Sequence, residues 1–401
     1  MSFLFIILLL LGLIYGYTGF RIIAPAALPH PWSLIAWIAL FFLAVLPPAT
    51  IFLRAQLMRT GWYDQFAWVA YLCLGFFTLA FAVVVVRDLL WWSLHALDWF
   101  IAAAGLRQSP QAQHLISPDP ARQLFLLNAT NLAVLGLTGT TFIYGLYEAR
   151  RRARIVEVAV PIAGLPPDLD GFRIVQISDI HAGPTIKRAY VQAIVDQVGD
   201  LAPDLIAFTG DLVDGSVARL AHHVEPMGQL QAPYGLFFAT GNHEYYSGAE
   251  EWIPEVRRLG FDVLLNEHRL VQCGRGRLLL AGVTDHSAGA LNSSAVQHGP
   301  SDPQAALEKA PPADVRLLLA HQPLSIAAAA RAGFDLQLSG HTHGGQFIPW
   351  KYVVPLQQPY IAGLHRHENT WIYVNRGSGY WGPPLRVGAP AEITLLTLIT
   401  A

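Results

Sequence analysis

Five places in this 401-residue chain combine residue types and spacings that suit divalent-metal chemistry: Asp179-Ile180-His181, Gly210-Asp211-Leu212-Val213-Asp214, Gly241-Asn242-His243-Glu244, the single His321, and Gly340-His341-Thr342-His343. Side chains two apart in an extended segment point the same way, so Asp179 and His181 form one potential chelate and His341 and His343 another. Imidazole with carboxylate suits manganese, iron or zinc better than calcium. Two divalent ions bring four positive charges, of which Asp179 and Asp211 offset two. The cage would stay electropositive and attract a phosphate. A glycine before three of the groups (Gly210, Gly241, Gly340) lets the backbone turn sharply or approach the site closely.

These groups need elements that bring them together. From residue 155 onward, short runs of branched apolar residues alternate with helical stretches: IVEVAV, FRIVQIS, LIAFTG, GLFFATG, RLLLAGV, VRLLLAH, DLQLSG, TWIYVN and EITLLTL. Such runs read as strands buried on both faces. Stretches near residues 185–198, 217–230, 250–259 and 324–332 read as helices. The expectation is a layered α/β domain with a mixed sheet or two facing sheets. Each polar group lies at the carboxyl end of a strand, where α/β folds place ligand sites.

The first third of the chain is different. Overall, 53% of residues are hydrophobic and only 13% charged, against about 25% charged in an average soluble chain. Four apolar stretches, near residues 3–20, 32–53, 66–86 and 124–147, approach the length of a membrane-spanning helix. Residues 1–149 are expected to form a helical transmembrane bundle of about four spans and residues 150–401 the α/β domain. The first stretch lacks the basic flank and cleavage site of a signal peptide. Arg54 and Arg59 after the second span, with Arg150, Arg151, Arg152 and Arg154 after the fourth, put the N-terminus and the α/β domain in the cytoplasm of an inner or plasma membrane. Arg87, Arg107 and Arg122 run against this orientation. Residues 88–106, rich in Trp, suit either a helix along the membrane surface or one packed on the spans. The tether of residues 148–154 reaches at most about 25 Å, which holds the α/β domain close to the bilayer. A net charge of -2 gives no case for nucleic acid as a partner, and the two cysteines, Cys73 and Cys273, are not expected to pair.

The motifs resemble the signature of the calcineurin-like metallophosphoesterase superfamily, in the family's order and over about residues 155–401. The strings SDIHAG, ATGNHEYY and SGHTHGGQ are similar to its membrane-anchored branch, which carries N-terminal transmembrane helices. The resemblance implies a four-layer αββα sandwich. It implies one metal on Asp179, His181, Asp211 and His343 and a second on Asp211, Asn242, His321 and His341, with Asp211 bridging. His243 would sit beside the phosphate as general acid, oriented by Asp214. The activity implied is metal-dependent hydrolysis of a phosphodiester or pyrophosphate, with manganese, iron or zinc as cofactor. The substrate is a phosphate ester of the lipid, lipid-linked (nucleoside-diphosphate lipid included) or soluble class, with membrane lipids as neighbours. The alternative is a metal-stabilised binding or scaffold protein without catalysis, which has no need of His243 and Asp214. The aromatic segment at residues 346–367 reads either as a lid admitting lipid or as packing over a sheet edge. Asp285-His286 and Tyr245-Tyr246 are further candidates for lining the pocket.

Overall fold

The computed structural model describes residues 8–53, 61–104, 120–286, 288 and 299–401. Arg54, Arg59, Arg107 and His298 lie outside the described residues. The chain divides into two units, Met1–Gly145 and Leu146–Ala401.

In the first unit, α1 (Leu8–Ile22) is apolar but short, while α2 (Trp32–Phe52), α3 (Tyr63–Ala103) and α4 (Pro120–Arg150) are long and apolar enough to cross a membrane. Of the four expected spans, three are thus full-length helices, and the first is described only from Leu8 onward. The Trp-rich segment is neither a separate surface helix nor a packed one. It continues α3 without a break as far as Ala103, and Leu94, Leu97, Trp99 and Phe100 stay exposed. At 41 residues this helix extends about 60 Å, roughly twice the hydrocarbon thickness. Arg87 and Asp88, which mark a break in the sequence pattern, do not end the helix. They form an ion pair that Arg21 joins.

The second unit holds two mixed six-stranded sheets. The first has the order β1 (Arg154–Ile162), β12 (Glu392–Thr400), β2 (Arg173–Ile177), β3 (Leu205–Phe208), β4 (Leu236–Phe238), β5 (Asp262–Val263). The second has the order β10 (Gly363–His367), β11 (Thr370–Val374), β9 (Leu336–Ser339), β8 (Val315–Leu319), β7 (Gly276–Gly282), β6 (Glu267–Cys273). Alternate residues of each strand serve different layers. Ile174, Leu205, Ala207 and Phe237 pack with Leu278, Leu280, Leu317 and Leu338 between the sheets. Val175, Ile177, Ile206 and Phe208 face outward onto α5 (Arg188–Leu201), α6 (Val217–Val224) and α7 (Ala249–Arg258), where Trp252 is fully buried. Leu279, Ala281 and Leu318 face the other way, toward α8 (Ile326–Ala332). Burial on both faces is why these strands read as continuous apolar runs, and the result is the four-layer αββα sandwich. Cys73 and Cys273 are both free thiols.

Candidate metal centre

The loops that leave the strands continue the sheet's pairing for a few residues. Asp179 N–H donates to Gly210 O at 3.0 Å, His181 N–H to Asp211 O at 3.1 Å and Ala182 N–H to Leu212 O at 2.8 Å. Across the sandwich, Gly340 N–H donates to His321 O at 2.9 Å, and His341 N–H reaches both Asp179 carboxylate oxygens at 3.0 Å. Five of the seven expected ligands, Asp179, His181, Asp211, His341 and His343, have φ between +51° and +69°. That backbone costs about 1 kcal/mol or more per residue in an L-amino acid, so strain is concentrated where the side chains must converge.

They do converge. His181 Nε2 lies 3.0 Å from His343 Nε2, and Asp179 Oδ1 is 3.4 Å from His343 Nε2 and 3.9 Å from His181 Nε2. On the other side, His321 Nε2 lies 3.2 Å from Asn242 Oδ1 and 3.2 Å from His341 Nδ1. Asp211 Oδ2 stands between the two groups, 3.7 Å from His181 Nε2 and 3.1 Å from His321 Nε2. The clusters Asp179–His181–His343 and Asp211–His321–His341 each bring one ligand atom per residue within 4.8 Å of the others. All seven expected ligands therefore meet in one place.

Partners behind the rings leave the right nitrogens available. His321 Nδ1 sits 2.6 Å from Thr209 O and must donate to it, so Nε2 is the nitrogen turned inward. Burial disfavours the His321 cation, but Asp211 and Asp179 outweigh it and hold the ring well above the ordinary imidazole range, so a bound cation would take the place of the Nε2 proton. His181 Nδ1 is 3.1 Å from Asp214 Oδ1, which likewise turns its Nε2 inward. Inward-facing ring nitrogens about 3 Å apart, set among the Asp179 and Asp211 carboxylates, suit a cation between or beside them, so the residues fit a divalent-metal site. Burial, together with the charge of His321, pushes His341 down to about 3. Burial and the neighbouring His181 likewise hold His343 well below the ordinary imidazole range, so both rings are neutral donors.

Asp214 does more than the sequence suggested. The same oxygen that faces His181 is 2.5 Å from His243 Nδ1. Burial disfavours its anion, but the His181 and His243 rings overcome this and hold the Asp214 carboxyl well below the usual range. His243 is in turn pushed up to about 9, because Asp214 and Asp211 outweigh the opposing effect of burial. Its side chain keeps 15% exposure, and its backbone N–H donates to Asp211 Oδ1 at 2.9 Å.

Two supporting residues were not assigned from sequence. The Glu244 carboxylate accepts the N–H groups of Asp211, Leu212 and Gly241 at 2.9, 2.8 and 2.7 Å, and so ties two ligand loops together. Arg386 is completely buried, donates to the carbonyls of His343, Ala389 and Gly379, and places Nη2 3.1 Å from His343 Nδ1. The neighbouring tyrosines divide. Tyr245 is buried with its hydroxyl 3.0 Å from Thr240 Oγ1, whereas Tyr246 is 57% exposed with its ring 5.2 Å from His243. Asp285 is buried and held by the Gln322 side chain, while His286 is exposed. Of the 346–367 segment, residues 363–367 form strand β10, whereas Tyr352 and Leu356 are 68% and 83% exposed.

The glycines act by close approach. A Cβ on Gly340 would lie 2.0 Å from Ser178 Oγ and 2.2 Å from Asp179 Oδ2, and one on Gly241 would lie 2.1 Å from Asp211 Oδ1. Gly340→Ala is expected to displace the Asp179 carboxylate and lower metal affinity by at least about 10-fold, the low end for losing a supporting contact. Metal titration of the folded variant measures this, and unchanged affinity would show that the loop relaxes without cost.

Residues 172–345 match the family model described as calcineurin-like phosphoesterase. The chain is 37% identical over 346 residues to a Bos taurus transmembrane protein with metallophosphoesterase domain, covering 84% of this chain and 74% of that protein. A Danio rerio protein of the same description is 37% identical over 300 residues, covering 73% of this chain and 66% of that protein. An uncharacterized metallophosphoesterase of Campylobacter jejuni is 30% identical over 403 residues, covering 99% and 98%. The chain belongs to the calcineurin-like metallophosphoesterases, as a member with apolar N-terminal helices, and is a hydrolase acting on phosphoric ester bonds.

Proposed function

We propose that the protein hydrolyses a phosphodiester or pyrophosphate at a binuclear centre, with Asp179, His181, Asp211 and His343 around one cation and Asp211, Asn242, His321 and His341 around the other. The observation that carries this reading is the position of Asp211 Oδ2, within 3.7 Å of a nitrogen from each group. When bound, divalent cations at such a site polarise phosphoryl oxygens and lower the pKa of water. The oxygen and nitrogen donor set favours manganese, iron or zinc. Asp214 holds His243 by Nδ1, and the protonated ring donates a proton to the leaving oxygen. Asp179 and Asp211 are the carboxylates facing the cations, so the loaded site keeps positive charge for an anionic substrate.

The leaving group meets an aromatic rim. Tyr246 and Trp381 are both more than half exposed, and their rings stand edge-on to His243 at 5.2 and 5.6 Å. With the exposed Tyr352 and Leu356 and the short tether to the last apolar helix, they support a lipid or lipid-linked substrate. The placement of Arg54, Arg59 and residues 150–154 supports a cytoplasmic catalytic domain. Trp381→Ala is expected to raise KM for an apolar diester by about 2–12-fold, the worth of one aromatic contact, and to leave kcat for methyl p-nitrophenyl phosphate unchanged. An equal effect on both substrates would remove Trp381 from substrate recognition.

The test of the activity is release of p-nitrophenol from bis(p-nitrophenyl) phosphate by the purified full-length chain. Manganese should support turnover and a chelator should abolish it. A chain that binds two metals per molecule and releases nothing from aryl diesters, phospholipids or nucleotide-linked lipids would instead be a metal-stabilised scaffold.

A further inference from the structure

The membrane unit contains polar chemistry that the hydrolytic reaction does not use. Asp88 of α3 is 1% exposed. Its carboxylate accepts Arg21 Nε at 2.7 Å, Arg21 Nη2 at 2.8 Å, Tyr17 Oη at 2.6 Å and Arg87 Nε at 2.9 Å. Arg87 also reaches Asn131 Oδ1 of α4, and Asn131 Nδ2 donates to Arg21 O at 3.1 Å. One cluster thus ties α1, α3 and α4 together.

Its charges do not balance among the described residues: two guanidiniums face one carboxylate. The Arg87 side chain is 11% exposed, and its Nη2 lies 2.8 Å from Asp88 Oδ1 without making a hydrogen bond. An excess charge held in surroundings of low polarity is costly unless a counter-charge joins it. Arg21 directly follows the apolar run that ends at Phe20, and Arg87 the run that ends at Val86. Both guanidiniums therefore belong at the edge of the hydrocarbon, where headgroup phosphates lie. Beside the cluster, these helices and α2 leave a cleft of about 230 Å³ with apolar walls that include Ile22, Leu40, Phe76, Phe77 and Leu135. Ile22 neighbours Arg21, and Leu135 lies one helical turn from Asn131.

We infer that the membrane unit binds one anionic phospholipid, its phosphate on Arg21 and Arg87 and part of one acyl chain in the cleft. A headgroup with one net negative charge balances the cluster, whereas a zwitterionic headgroup adds a second cation beside the guanidiniums. The cleft is too small for a whole lipid and takes a segment of one chain.

Native mass spectrometry of the full-length protein in detergent, titrated separately with phosphatidylglycerol and phosphatidylcholine, tests this. Phosphatidylglycerol should bind at least about tenfold more tightly, in line with one added charge-assisted contact. Arg87→Gln should remove that preference. Ala39→Phe, which fills the cleft from its wall and leaves the charged cluster intact, should weaken both lipids to a similar extent. Equal binding of the two lipids to the unaltered protein would overturn the inference. So would Ala39→Phe binding phosphatidylglycerol as well as the unaltered protein does, since the headgroup alone would then account for it. Because Ala39→Phe does not touch the ion pairs, the result stands even if Arg87→Gln does not fold.

Discussion

His243→Ala is expected to lower turnover on a dialkyl phosphodiester by about 10²–10⁴-fold, the usual contribution of general acid catalysis, with metal content as in the unaltered protein. The geometry separates this residue from the ligands. Its Nδ1 is taken up by Asp214 at 2.5 Å, and its ring is the most exposed member of the Asp214–His181–His243 group apart from Asp214 itself. A cation-favouring environment pushes it up to about 9, so at neutral pH it carries the proton that an alkoxide leaving group needs. A p-nitrophenolate leaves without protonation, so the same variant should lose far less activity on bis(p-nitrophenyl) phosphate. The ratio of the two losses is the measurement. His243 also lies close enough to His181 and Asp211 to be counted with them as a possible ligand. Equal losses on both substrates, accompanied by loss of metal, would make it one. Asp214→Asn should behave differently from His243→Ala. The oxygen it alters also holds His181, so activity and metal affinity should fall together.

The legible part of this protein was set by burial. Strands β2, β3, β4, β7, β8 and β9 are covered on both faces, so their sequences are unbroken apolar runs that stop where the polar groups begin. That made both the layered fold and the shared end of the sheets readable. The strands that escaped notice are marginal ones. β5 has two residues, β6 is a polar edge strand and β10 carries two histidines and an arginine, so none has the apolar signature of a core strand. In the site, residues that act through their own side chains in short motifs could be found. Glu244 and Arg386 could not be assigned, because their partners are mostly backbone groups whose positions depend on the completed fold. The continuity of α3 was hidden for a related reason. Arg87 and Asp88 look like the end of a span until Arg21 and Tyr17, more than sixty residues earlier, are seen to satisfy them.

Asp211→Asn is expected to abolish binding of both metals and to reduce hydrolysis to background. Asn has nearly the same shape, so the argument rests on hydrogen bonds and charge. Asp211 Oδ1 already accepts the backbone N–H of His243 at 2.9 Å, and the side chain is 3% exposed. An Asn must therefore keep its carbonyl oxygen there and put its NH₂ group where Oδ2 stands. That NH₂ would face His321 Nε2, 3.1 Å from the present oxygen, and donate to the nitrogen meant for a cation, while standing 3.7 Å from His181 Nε2 with no negative charge to offer the other cation. The substitution removes one of two carboxylates and also caps His321 Nε2. Affinity should fall by more than the about 10–100-fold typical of losing an outer-sphere partner. Elemental analysis of the purified variant reads this directly. Thermal stability supplies an independent readout. The unaltered protein should gain about 2.7 kcal/mol per site when manganese is at 100 times that site's Kd, whereas the variant should gain nothing. Without metal the variant should be less stable than the unaltered chain at neutral pH, because burial disfavours the Asp211 anion but the His321, His243 and His181 rings outweigh it and hold the carboxyl well below its usual range, and the neutral amide gives up that attraction. A variant that still carried two metals per chain would show that Asp211 does not join the two halves of the centre.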